Sequence, residues 1–541
     1  MTNYFLSTTG NDNNLGTQNS PFATFKKGLE LMVPGDVLFV RGGVYDQNIN
    51  SFTTNIPSGT SYTNAITIKN FTGENVTLQP QSGISAINLN YSSTPTPLHY
   101  VIFDGISTNG LGGVGGVFID GPTVNHIRYM NASVYNTAGQ GIAMFEGAPD
   151  CEILFCDIYN NGRTFPFDHG LYVAVIRLLI DGCNIHNNNS YGLQVYSFGH
   201  GATESNGTIV RNCSIHNNGY GGCTLNMGDG LDFYNNLVYD NPSNGVNVTY
   251  NSNNFRVYNN TIFRNNGAAV TIGDSQVQNV TVNNNIFFQN ASDSIVSSGG
   301  TFTQSKNFTS NPLFLNTSAT PDLHIPSNSL AIDFGSNVLF PTTDKDGNPR
   351  PFGSLPDAGA YEFGVVIQPS TVITCDDSLP WTLISSGTFV NNTLLKTVNF
   401  SIKPARWICF RAISEVNGNS WASCAELSVL VNGVSLLPKS SWSIWCFDSQ
   451  ETGSGNLASN CIDENINTFW HTQFITASPS YPHNVVIDLG TPHPLNGFTY
   501  LPRQDGGING TVAGYEFYIS DYFIPIGRVM VLTMMQPFLS M

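Results

Sequence analysis

Short runs of alternating apolar and polar residues recur along the first half of the chain, with turn residues between them. From about residue 151 to residue 290 one phrase returns six times, as CDIYNNG, CNIHNNN, CSIHNNG, NLVYDNP, NTIFRNN and NIFFQNA. A glycine and a further alternating run follow each of the first five phrases. Alternation with period 2 between turn residues is typical of short strands, and the stretch shows no helical period of 3.6. It therefore predicts repeated β-structure.

The glycines of the second phrase give the length of the repeat. They advance by 22, 30, 23 and 22 residues, and they are Gly170, Gly192, Gly222, Gly245 and Gly267. Repeats of about 20 to 50 residues are typical of stacked supersecondary units. Because the same strand phrase recurs in each unit, like strands lie side by side in parallel. The chain thus predicts a parallel β-helix, a solenoid in which each coil contacts its neighbours.

The alternation also predicts which side chains face the core and which face outward. The inward pairs are Leu171/Val173, Leu193/Val195, Val246/Val248 and Ala268/Val270. The outer face then carries two columns: Tyr172, Gln194, Thr224 and Asn247, and beside them Ala174, Tyr196, Asn226 and Thr249. One asparagine per coil is expected to join a ladder of amides at a turn, because Asn tolerates left-handed backbone. The ladder residues are Asn161, Asn188, Asn218, Asn241, Asn265 and Asn290.

Two further columns have structural interpretations. Cys156, Cys183 and Cys213 share one position of the repeat, where stacked buried thiols are expected. Asn236 and Asn260 occupy the same position in later coils. His186 and His216 fall in a column with Tyr159, Tyr239 and Phe263, which predicts stacked rings and not a metal site.

Composition and charge narrow the class of protein. The 541 residues include 53 glycines and only 11% charged residues, which is the composition of a turn-rich β protein with room for two or three domains. The net charge of -17 disfavours nucleic acid, because phosphate binding needs a basic face. The same charge would repel a polyanionic glycan unless a basic patch or Ca²⁺ intervened. No apolar run reaches the roughly 18 residues of a membrane span.

The residues before the first coil carry a family resemblance. The motifs Gly10-x-Asp12, Gly16-Thr17, Pro21-Phe22, Pro34-Gly35-Asp36 and Gly43-x-Tyr45 resemble the N-terminal cap of right-handed β-helix proteins of the pectate-lyase-like superfamily. An amphipathic segment, residues 25–32, would cover the open end of the solenoid. The segment 305–365 resembles the closing segment of that superfamily, and its acidic residues are expected to hold a structural cap. The resemblance implies a right-handed β-helix over residues 1–365, with an N-terminal cap over about 1–46.

A second resemblance follows a linker-like passage, residues 366–380. All six tryptophans of the chain lie beyond Pro380, which marks a new core and a domain boundary. Residues 459–472, SNCIDENINTFWHT, together with 486–490, 498–504 and 515–518, resemble a discoidin-type (coagulation factor 5/8 C-type) galactose-binding-like jelly roll in the segment 433–522. Residues 381–432 resemble the second half of the same module, so the halves stand in reversed order. Glu464 occupies a turn position where the family usually has Gly.

Two explanations of this order remain open. We hypothesise that the tail, residues 523–541, is the product of a frameshift inside a second module of this kind, with the first module lacking its front half. The alternative is one permuted jelly roll assembled from residues 381–520. In either case the fold class is all-β, a right-handed parallel β-helix followed by a β-sandwich or jelly-roll module.

The outer face of the regular coils is the candidate site. Tyr172, Gln194, Tyr196, Asn226 and Asn247 would form a shallow groove for a linear glycan, with rings that stack on sugars and amides that bond their hydroxyls. Two insertions lengthen coils there, residues 162–170 and 197–204, and long loops on a rigid solenoid often carry function. They are expected to bring five candidate catalytic residues to one rim: Asp168, His169, Arg163, His200 and Glu204.

These candidates suit two reactions. Removal of a proton beside a uronate carboxylate needs a base and a cation such as Arg or Ca²⁺, whereas hydrolysis needs two carboxylates, here Asp168 and Glu204. In the C-terminal module the resemblance implies a Ca²⁺ near Asp463, Asn465 and Thr468, with Glu426 as a candidate partner. Trp470, His471 and Arg503 are candidates to line a sugar site, and a core position is the alternative for Trp470.

The leading hypothesis is a polysaccharide-acting enzyme, a lyase or hydrolase, with an attached carbohydrate-binding module. The alternative is a non-catalytic glycan-binding or surface-attachment protein, since no complete lyase or hydrolase motif is present. A damaged gene product without activity is a third possibility. We expect an extracellular or cell-surface location, although Met1 leads straight into the first predicted strand without a signal peptide.

Overall fold

A computed structural model shows how the chain is arranged. It describes residues 2–71, 74–81, 83, 85–90, 97–111, 113–121, 123–145, 148–196, 205–348, 350–363, 381–439, 442–475 and 478–520. The chain divides into two compact units, Met1–Val365 and Val366–Met541. Nearly all regular structure in both units is β-strand, with one short α-helix, Phe25–Leu29, and 3₁₀ turns at Tyr62–Asn64 and Ala458–Cys461 in the described residues.

Three parallel sheets run along the first unit, and each coil adds one short strand to each sheet; we name them A, B and C in the order in which the chain enters them. The described strands of sheet A are Asn3–Leu6, Val37–Val40, Ile66–Asn70, Leu98–Asp104, Val124–Met130, Glu152–Leu154, Leu179–Asp181, Ile209–Arg211, Asp232–Tyr234, Arg256–Tyr258, Val280–Asn283 and Phe302–Ser305. Those of sheet B are Gly43–Tyr45, Val76–Leu78, Ile106–Asn109, Ser133–Tyr135, Asp157–Tyr159, Asn184–His186, Ser214–His216, Leu237–Tyr239, Thr261–Phe263 and Ile286–Phe288. Those of sheet C are Ile49–Asn50, Ser85–Asn90, Gly115–Asp120, Ile142–Phe145, Leu171–Val173, Leu193–Val195, Cys223–Asp229, Val246–Asn253, Ala268–Ile272 and Ser292–Ser297. This is the predicted parallel β-helix.

The register of sheet C follows the alternation of the sequence. Tyr172 pairs with Gln194, Gln194 with Thr224, and Thr224 with Asn247, so the first outer column is present as predicted. The inward residues of these strands, such as Leu171 and Val195, are fully buried in one continuous core.

The last of the predicted coils has a different register. Val246 pairs with Val270 and not with Ala268, and Asn247 pairs with Thr271. The side chain of Asn244 holds the turn here, because its Oδ1 accepts a hydrogen bond from the backbone of Ala268 at 2.7 Å. A shift of two residues preserves the alternation, so Ala268 and Val270 remain buried.

The predicted asparagine ladder lies between sheets B and C. Each Nδ2 donates to the Oδ1 of the asparagine one coil on, at 2.9 to 3.2 Å, from Asn161 through to Asn290. The glycine column packs directly against it. A Cβ on Gly170 or Gly192 would lie 2.6 or 2.7 Å from the nearest ladder Nδ2, so these positions require glycine for close approach.

The other two columns also have the predicted structure. Cys156, Cys183 and Cys213 are buried free thiols, and Asn236 continues the column by accepting a hydrogen bond from the backbone of Cys213 at 2.9 Å. On the outside of sheet B, successive ring pairs from Tyr159 through His186 and His216 to Tyr239 have centroids 5.2, 5.0 and 4.6 Å apart and lie within 9° of parallel.

Both ends of the first unit carry additional structure. The helix Phe25–Leu29 begins after Thr24, whose side chain accepts a hydrogen bond from the backbone of Lys27, and its buried face joins the solenoid core. Residues 305–363 pack along the outer side of sheet B, where Phe308 and Tyr361 form a core with Phe263. Acidic residues hold this segment together, with the Nε of a fully buried Arg350 2.9 Å from Glu362.

The second unit is an antiparallel β-sandwich. Its main sheet has the strand order Thr382–Thr388, Gly514–Ser520, Lys396–Ala412, His483–Leu501, Glu426–Val431 and Val434–Ser435, and Ser443–Phe447 also pairs with His483–Leu501. A small second sheet joins Ser423–Cys424 to Trp470–His471. The two segments that stand in reversed order in the sequence contribute strands to one sheet. The tail 523–541 lies outside the described residues.

The described residues contain no helix of the length and apolarity needed to cross a membrane.

Candidate functional site

The outer face of sheet C carries a row of aromatic rings. The centroids of Phe118 and Phe145 lie 5.9 Å apart, and those of Phe145 and Tyr172 lie 5.0 Å apart. We call these three residues the aromatic row. Tyr196 lies two residues beyond Gln194 on the same face, 5.9 Å from the half-exposed Tyr250. All three rings of the row are partly exposed, which leaves them available to a ligand.

Sequence reasoning found Tyr172 and Tyr196 but missed Phe118, Phe145 and Tyr250. The signal was present, because Gly115–Asp120 and Ile142–Phe145 have the same alternation as the later strands and enter the same sheet. The irregular spacing of the early coils concealed it. Within the two outer columns from Phe118 to Thr249, the described residues include one carboxylate, Asp120, and no lysine.

Two of the predicted amide ligands have structural roles instead. Asn226 is 2% exposed, and its Nδ2 donates to the carbonyl of Val195 at 3.0 Å while its Oδ1 accepts from Thr249. Asn247 is also buried, and its Nδ2 donates to the hydroxyl of Tyr191 at 3.2 Å. Because internal partners satisfy both amides, neither is free to bind a glycan. Gln194 remains half-exposed in the outer column.

The first insertion, residues 162–170, folds into a fixed loop in which Asp168 is a turn residue. Its Oδ2 accepts hydrogen bonds from the backbone N–H groups of Arg163 at 2.8 Å and Thr164 at 2.6 Å. The carboxylate therefore closes the loop and does not point into the groove as a catalytic group would. The side chain of Arg163 is exposed at the start of the loop.

His169 is buried beneath the face and not presented to it. The residue is 3% exposed, its ring centroid lies 5.7 Å from that of Tyr172, and its Nδ1 accepts a hydrogen bond from the backbone of Tyr191 at 3.3 Å. Burial lowers its pKa to about 4, so the ring is neutral near pH 7 and carries its proton on Nε2. It supports Tyr172 from behind and is not placed to act as the predicted base.

The predicted catalytic rim is therefore not assembled by the described residues. Asp168 and His169 have structural partners, and Arg163 is exposed at the start of the loop. His200 and Glu204 lie outside the described residues. Spacing alone does not reveal that the first insertion folds back onto the solenoid, where Asp168 and His169 acquire these internal partners.

In the C-terminal module Trp470 belongs to the core. It is fully buried, and its Nε1 donates to the carbonyl of Ser449 at 2.8 Å, so it cannot line a sugar site as predicted. His471 and Arg503 instead meet an aromatic cluster. The ring of His471 lies 4.9 Å from Phe474 and 6.3 Å from Trp421, and the guanidinium of Arg503 lies 4.3 Å from the ring of Phe469.

We call Trp421, Phe469, His471, Phe474 and Arg503 the module cluster. Phe474 is 40% exposed, whereas His471 is buried, donates from Nδ1 to the carbonyl of Thr472 at 2.6 Å, and has a pKa lowered by burial. Trp421 and Phe474 were missed because they lie in different segments of the sequence, which only the fold brings together.

The four predicted calcium ligands lie in one region of the module. Asp463 accepts hydrogen bonds from the hydroxyl of Thr468 at 2.7 Å and from the backbone of Asn465 at 2.9 Å. Burial raises the pKa of Glu426, and the nearby carboxylate of Asp463 adds to the rise, against the ammonium of Lys439, which contacts the other Glu426 oxygen. The Oε1 of Glu426 is buried and has no hydrogen-bond partner.

This donor set fits a hard cation, because it consists of oxygen atoms and leaves one buried carboxylate oxygen unsatisfied. No group of three or more His, Cys, Asp or Glu side chains suited to a metal occurs in the described residues, so any such site would depend on the hydroxyl and amide oxygens as well. Glu464 adopts φ 62°, so this turn keeps the left-handed conformation that its family usually supplies with glycine.

Comparisons with known proteins agree with both units. Residues 4–166 match the model of a Pel9A-like right-handed β-helix region, residues 197–310 match a right-handed β-helix region, and residues 443–522 match the F5/8 type C domain. The crystal structure of pectate lyase Pel9A superposes with a TM-score of 0.51 and 17% sequence identity, covering 67% of this chain and 96% of that one. At this identity the likeness shows the fold alone.

Curated relatives match shorter stretches. A sialidase of Micromonospora viridifaciens is 33% identical over 175 residues, which is 31% of this chain and 26% of the relative. A galactose oxidase of Gibberella zeae is 39% identical over 87 residues, 16% of this chain and 12% of the relative. The chain thus spans only about a quarter and an eighth of the length of these two relatives. The chain combines a pectate-lyase-like right-handed parallel β-helix with an F5/8 type C, or discoidin, domain.

Proposed function

We propose that this protein acts on polysaccharides by binding a glycan chain along the outer face of sheet C, while the discoidin domain binds a sugar at the module cluster. The observation that carries the proposal is the aromatic row, three partly exposed rings in contact along successive coils. Aromatic faces can pack on the apolar faces of sugar rings, and a few polar groups beside them fix orientation. A row that crosses the coils suits a linear chain.

The described residues favour binding over cleavage. Hydrolysis requires two carboxylates, one of them protonated, and β-elimination requires a base with a cation. Asp168 is engaged with its own loop and His169 is buried, so the groups with that chemistry near Tyr172 are not available. A lyase or hydrolase activity would have to draw on other residues, among them His200 and Glu204, and remains the second candidate because the first insertion stands directly beside Tyr172.

The names of the curated relatives support a role with carbohydrate. Segments of this chain are 33% identical to a sialidase and 39% identical to a galactose oxidase. In the module cluster, the exposed ring of Phe474 offers an apolar face for a sugar. Arg503 is held over Phe469 by its ion pair with Asp505.

We also propose that Ca²⁺ binds the discoidin domain through Glu426, Asp463, Asn465 and Thr468. The unsatisfied Oε1 of Glu426 supports this proposal. Bound there, the ion would neutralise two neighbouring carboxylates and fix the loop between Asp463 and Thr468, so its role is structural. We also propose an extracellular or cell-surface location, since the protein would encounter such a glycan there.

The test is to incubate the full chain with a panel of soluble polysaccharides, with and without Ca²⁺, and to follow retention, ultraviolet absorbance of unsaturated uronates and release of reducing ends. Retention without either product is the expected result. New absorbance would show a lyase, and reducing ends alone a hydrolase, and either would replace the binding function with an enzymatic one. A chain that neither binds nor cleaves any polymer would contradict the proposal.

A further inference from the structure

The loop 162–169 is rigidly attached to the solenoid, yet two of its aromatic rings face solvent. Ser190 Oγ donates to the carbonyl of Pro166 at 2.8 Å, and Gln140 Nε2 donates to the carbonyl of Phe167 at 2.8 Å. With Asp168 closing the loop from inside, the backbone is fixed from three directions. The rings of Phe165 and Phe167 nevertheless remain 54% and 69% exposed.

The exposed rings continue into the neighbouring coils. Phe165 lies 5.5 Å from Tyr220 at an angle of 83°, and Tyr220 lies 4.9 Å from Tyr191 at 75°. Tyr220 is itself 39% exposed. We call Phe165, Phe167, Tyr191 and Tyr220 the loop patch. A contiguous group of exposed large apolar side chains on a fixed backbone is typical of a binding surface.

A buried ring joins the loop patch to the aromatic row of sheet C. The ring of His169 lies 5.7 Å from Tyr172 on one side and 5.9 Å from Tyr191 on the other. An unbroken series of ring contacts therefore leads from Phe118, through Tyr172 and His169, to Phe165. Because His169 is 3% exposed, this contact lies beneath the surface and fixes the loop patch beside the aromatic row.

The charge on this surface is low. Within the described residues of the first unit, Arg163 is the one arginine without a carboxylate within 4.0 Å; each of the others is paired, as in Arg177–Asp150 and Arg211–Asp181. The loop between Arg163 and Asp168 carries no other charged side chain. The loop patch therefore offers a ligand aromatic faces, with one exposed cation, Arg163, at its edge.

We propose that the loop patch is an additional subsite for uncharged sugar units of the same polysaccharide. This inference rests on the proposed function, and it adds a place and a substrate class to it. The size of the patch also favours a saccharide over a protein partner. Aromatic side chains offer about 150 to 250 Å² each when fully covered, so four partly exposed rings fall well short of the roughly 800 Å² per partner of a stable protein interface.

The test uses the full-length protein and gel affinity electrophoresis, with xyloglucan and galactomannan as uncharged probes and polygalacturonate and alginate as uronate probes. The variants are the double substitution Phe165→Ala/Phe167→Ala, the single substitutions Tyr172→Ala and Arg163→Gln, and the matched control Phe352→Ala. Phe352 is 49% exposed but lies in the segment that packs on sheet B. Thermal unfolding of each variant confirms that it is folded, as expected for exposed positions.

The expected result is that an uncharged probe binds and that Phe165→Ala/Phe167→Ala raises its dissociation constant roughly five- to twentyfold, while Arg163→Gln and Phe352→Ala change it less than about twofold. If the double variant binds like the parent while Tyr172→Ala does not, the subsite is refuted and the proposed function stands. If no probe binds, or Tyr172→Ala has no effect, the proposed function fails. Binding restricted to uronate probes and lost in Arg163→Gln would overturn the uncharged class.

Discussion

Tyr172 and Asn226 lie on the same face of sheet C, and burial gives them opposite roles. Tyr172 presents part of its ring to solvent, whereas the amide of Asn226 is 2% exposed and bonded within the protein. Removing a buried amide leaves its hydrogen-bond partners unsatisfied, which costs about 1 to 3 kcal/mol for each partner group. The alternation predicts which side of the sheet each side chain faces, but it does not predict how deeply that side chain is buried.

Asn226→Ala should therefore lower the free energy of unfolding by roughly 2 to 3 kcal/mol and leave glycan binding unchanged at temperatures where the protein is folded. The substitution removes the donor to the carbonyl of Val195 and the acceptor for Thr249. Urea unfolding measures the stability, with Gln276→Ala, at an exposed turn position, as the control. Unchanged stability together with weaker binding would show that Asn226 is a ligand after all.

His169 makes folding pH-dependent in a stated direction. Burial lowers its pKa to about 4 from the ordinary 6.5, so between these values the unfolded chain binds the proton more readily than the folded one. The stability that His169 contributes is complete above pH 6.5 and is lost as the pH falls through about 4. The full difference is roughly 3 kcal/mol.

The measurement compares unfolding free energies of the parent protein and His169→Gln from pH 7 to pH 4, since glutamine does not titrate. The stability advantage of the parent should shrink by roughly 3 kcal/mol over this range. A constant difference, with an NMR titration of His169 near pH 6.5, would show that the ring is accessible to water.

At the scale of the repeated elements, the glycine column and the asparagine ladder depend on each other. A Cβ on Gly192 would lie 2.7 Å from the Nδ2 of Asn218 and 2.7 Å from Ile215, closer than atoms normally approach. By contrast, Gly113 has no atom within 4 Å of the corresponding position. The two glycines therefore form a matched pair for a packing test.

Gly192→Ala should destabilise the protein by roughly 1 to 3 kcal/mol, because the ladder must shift or the coil must open, while Gly113→Ala should change stability by less than about 0.5 kcal/mol. Thermal or urea unfolding distinguishes them. Equal stability of the two variants would mean that the ladder yields without cost and does not fix the coil spacing.

The elements were predicted well where one local rule repeats. The ladder, the thiol column and the ring column followed from single positions that recur in every coil, and the structure shows the predicted contacts. The strand that follows Gly267 pairs two residues away from the register that aligning the glycines implies. A hydrogen bond to the side chain of Asn244 holds the turn there, and a shift of two residues leaves the alternation unchanged. Likewise, nothing local shows that residues 162–169 fold back on the solenoid.

At the scale of the whole molecule, the order of the two units followed from composition and motifs, whereas the site in the second unit did not. The sequence left a sugar site and the core as alternatives for Trp470, because a tryptophan in a motif looks the same in either place, and the structure places it in the core. The module cluster required the fold, since Trp421 and Phe474 are 53 positions apart and their loops meet only in the assembled sandwich.

Calcium should stabilise the second unit if it binds as proposed. A ligand that binds the folded state alone raises stability by about 2.7 kcal/mol at a concentration one hundred times its dissociation constant. We expect the unfolding transition of this unit to rise by several degrees with Ca²⁺ and to return with a chelator. Glu426→Gln should remove the increment, whereas the exposed Asp505, changed to Asn, should not.

Binding of a polysaccharide by the outer face of sheet C is best tested at Tyr172. The measurement is the dissociation constant of a polysaccharide that binds the full chain, for the parent protein, Tyr172→Ala and Tyr172→Phe. The account predicts a loss of roughly tenfold or more for Tyr172→Ala and near-parent affinity for Tyr172→Phe, because the ring is the binding element. Parent-like affinity in Tyr172→Ala would contradict it and assign the binding to another surface.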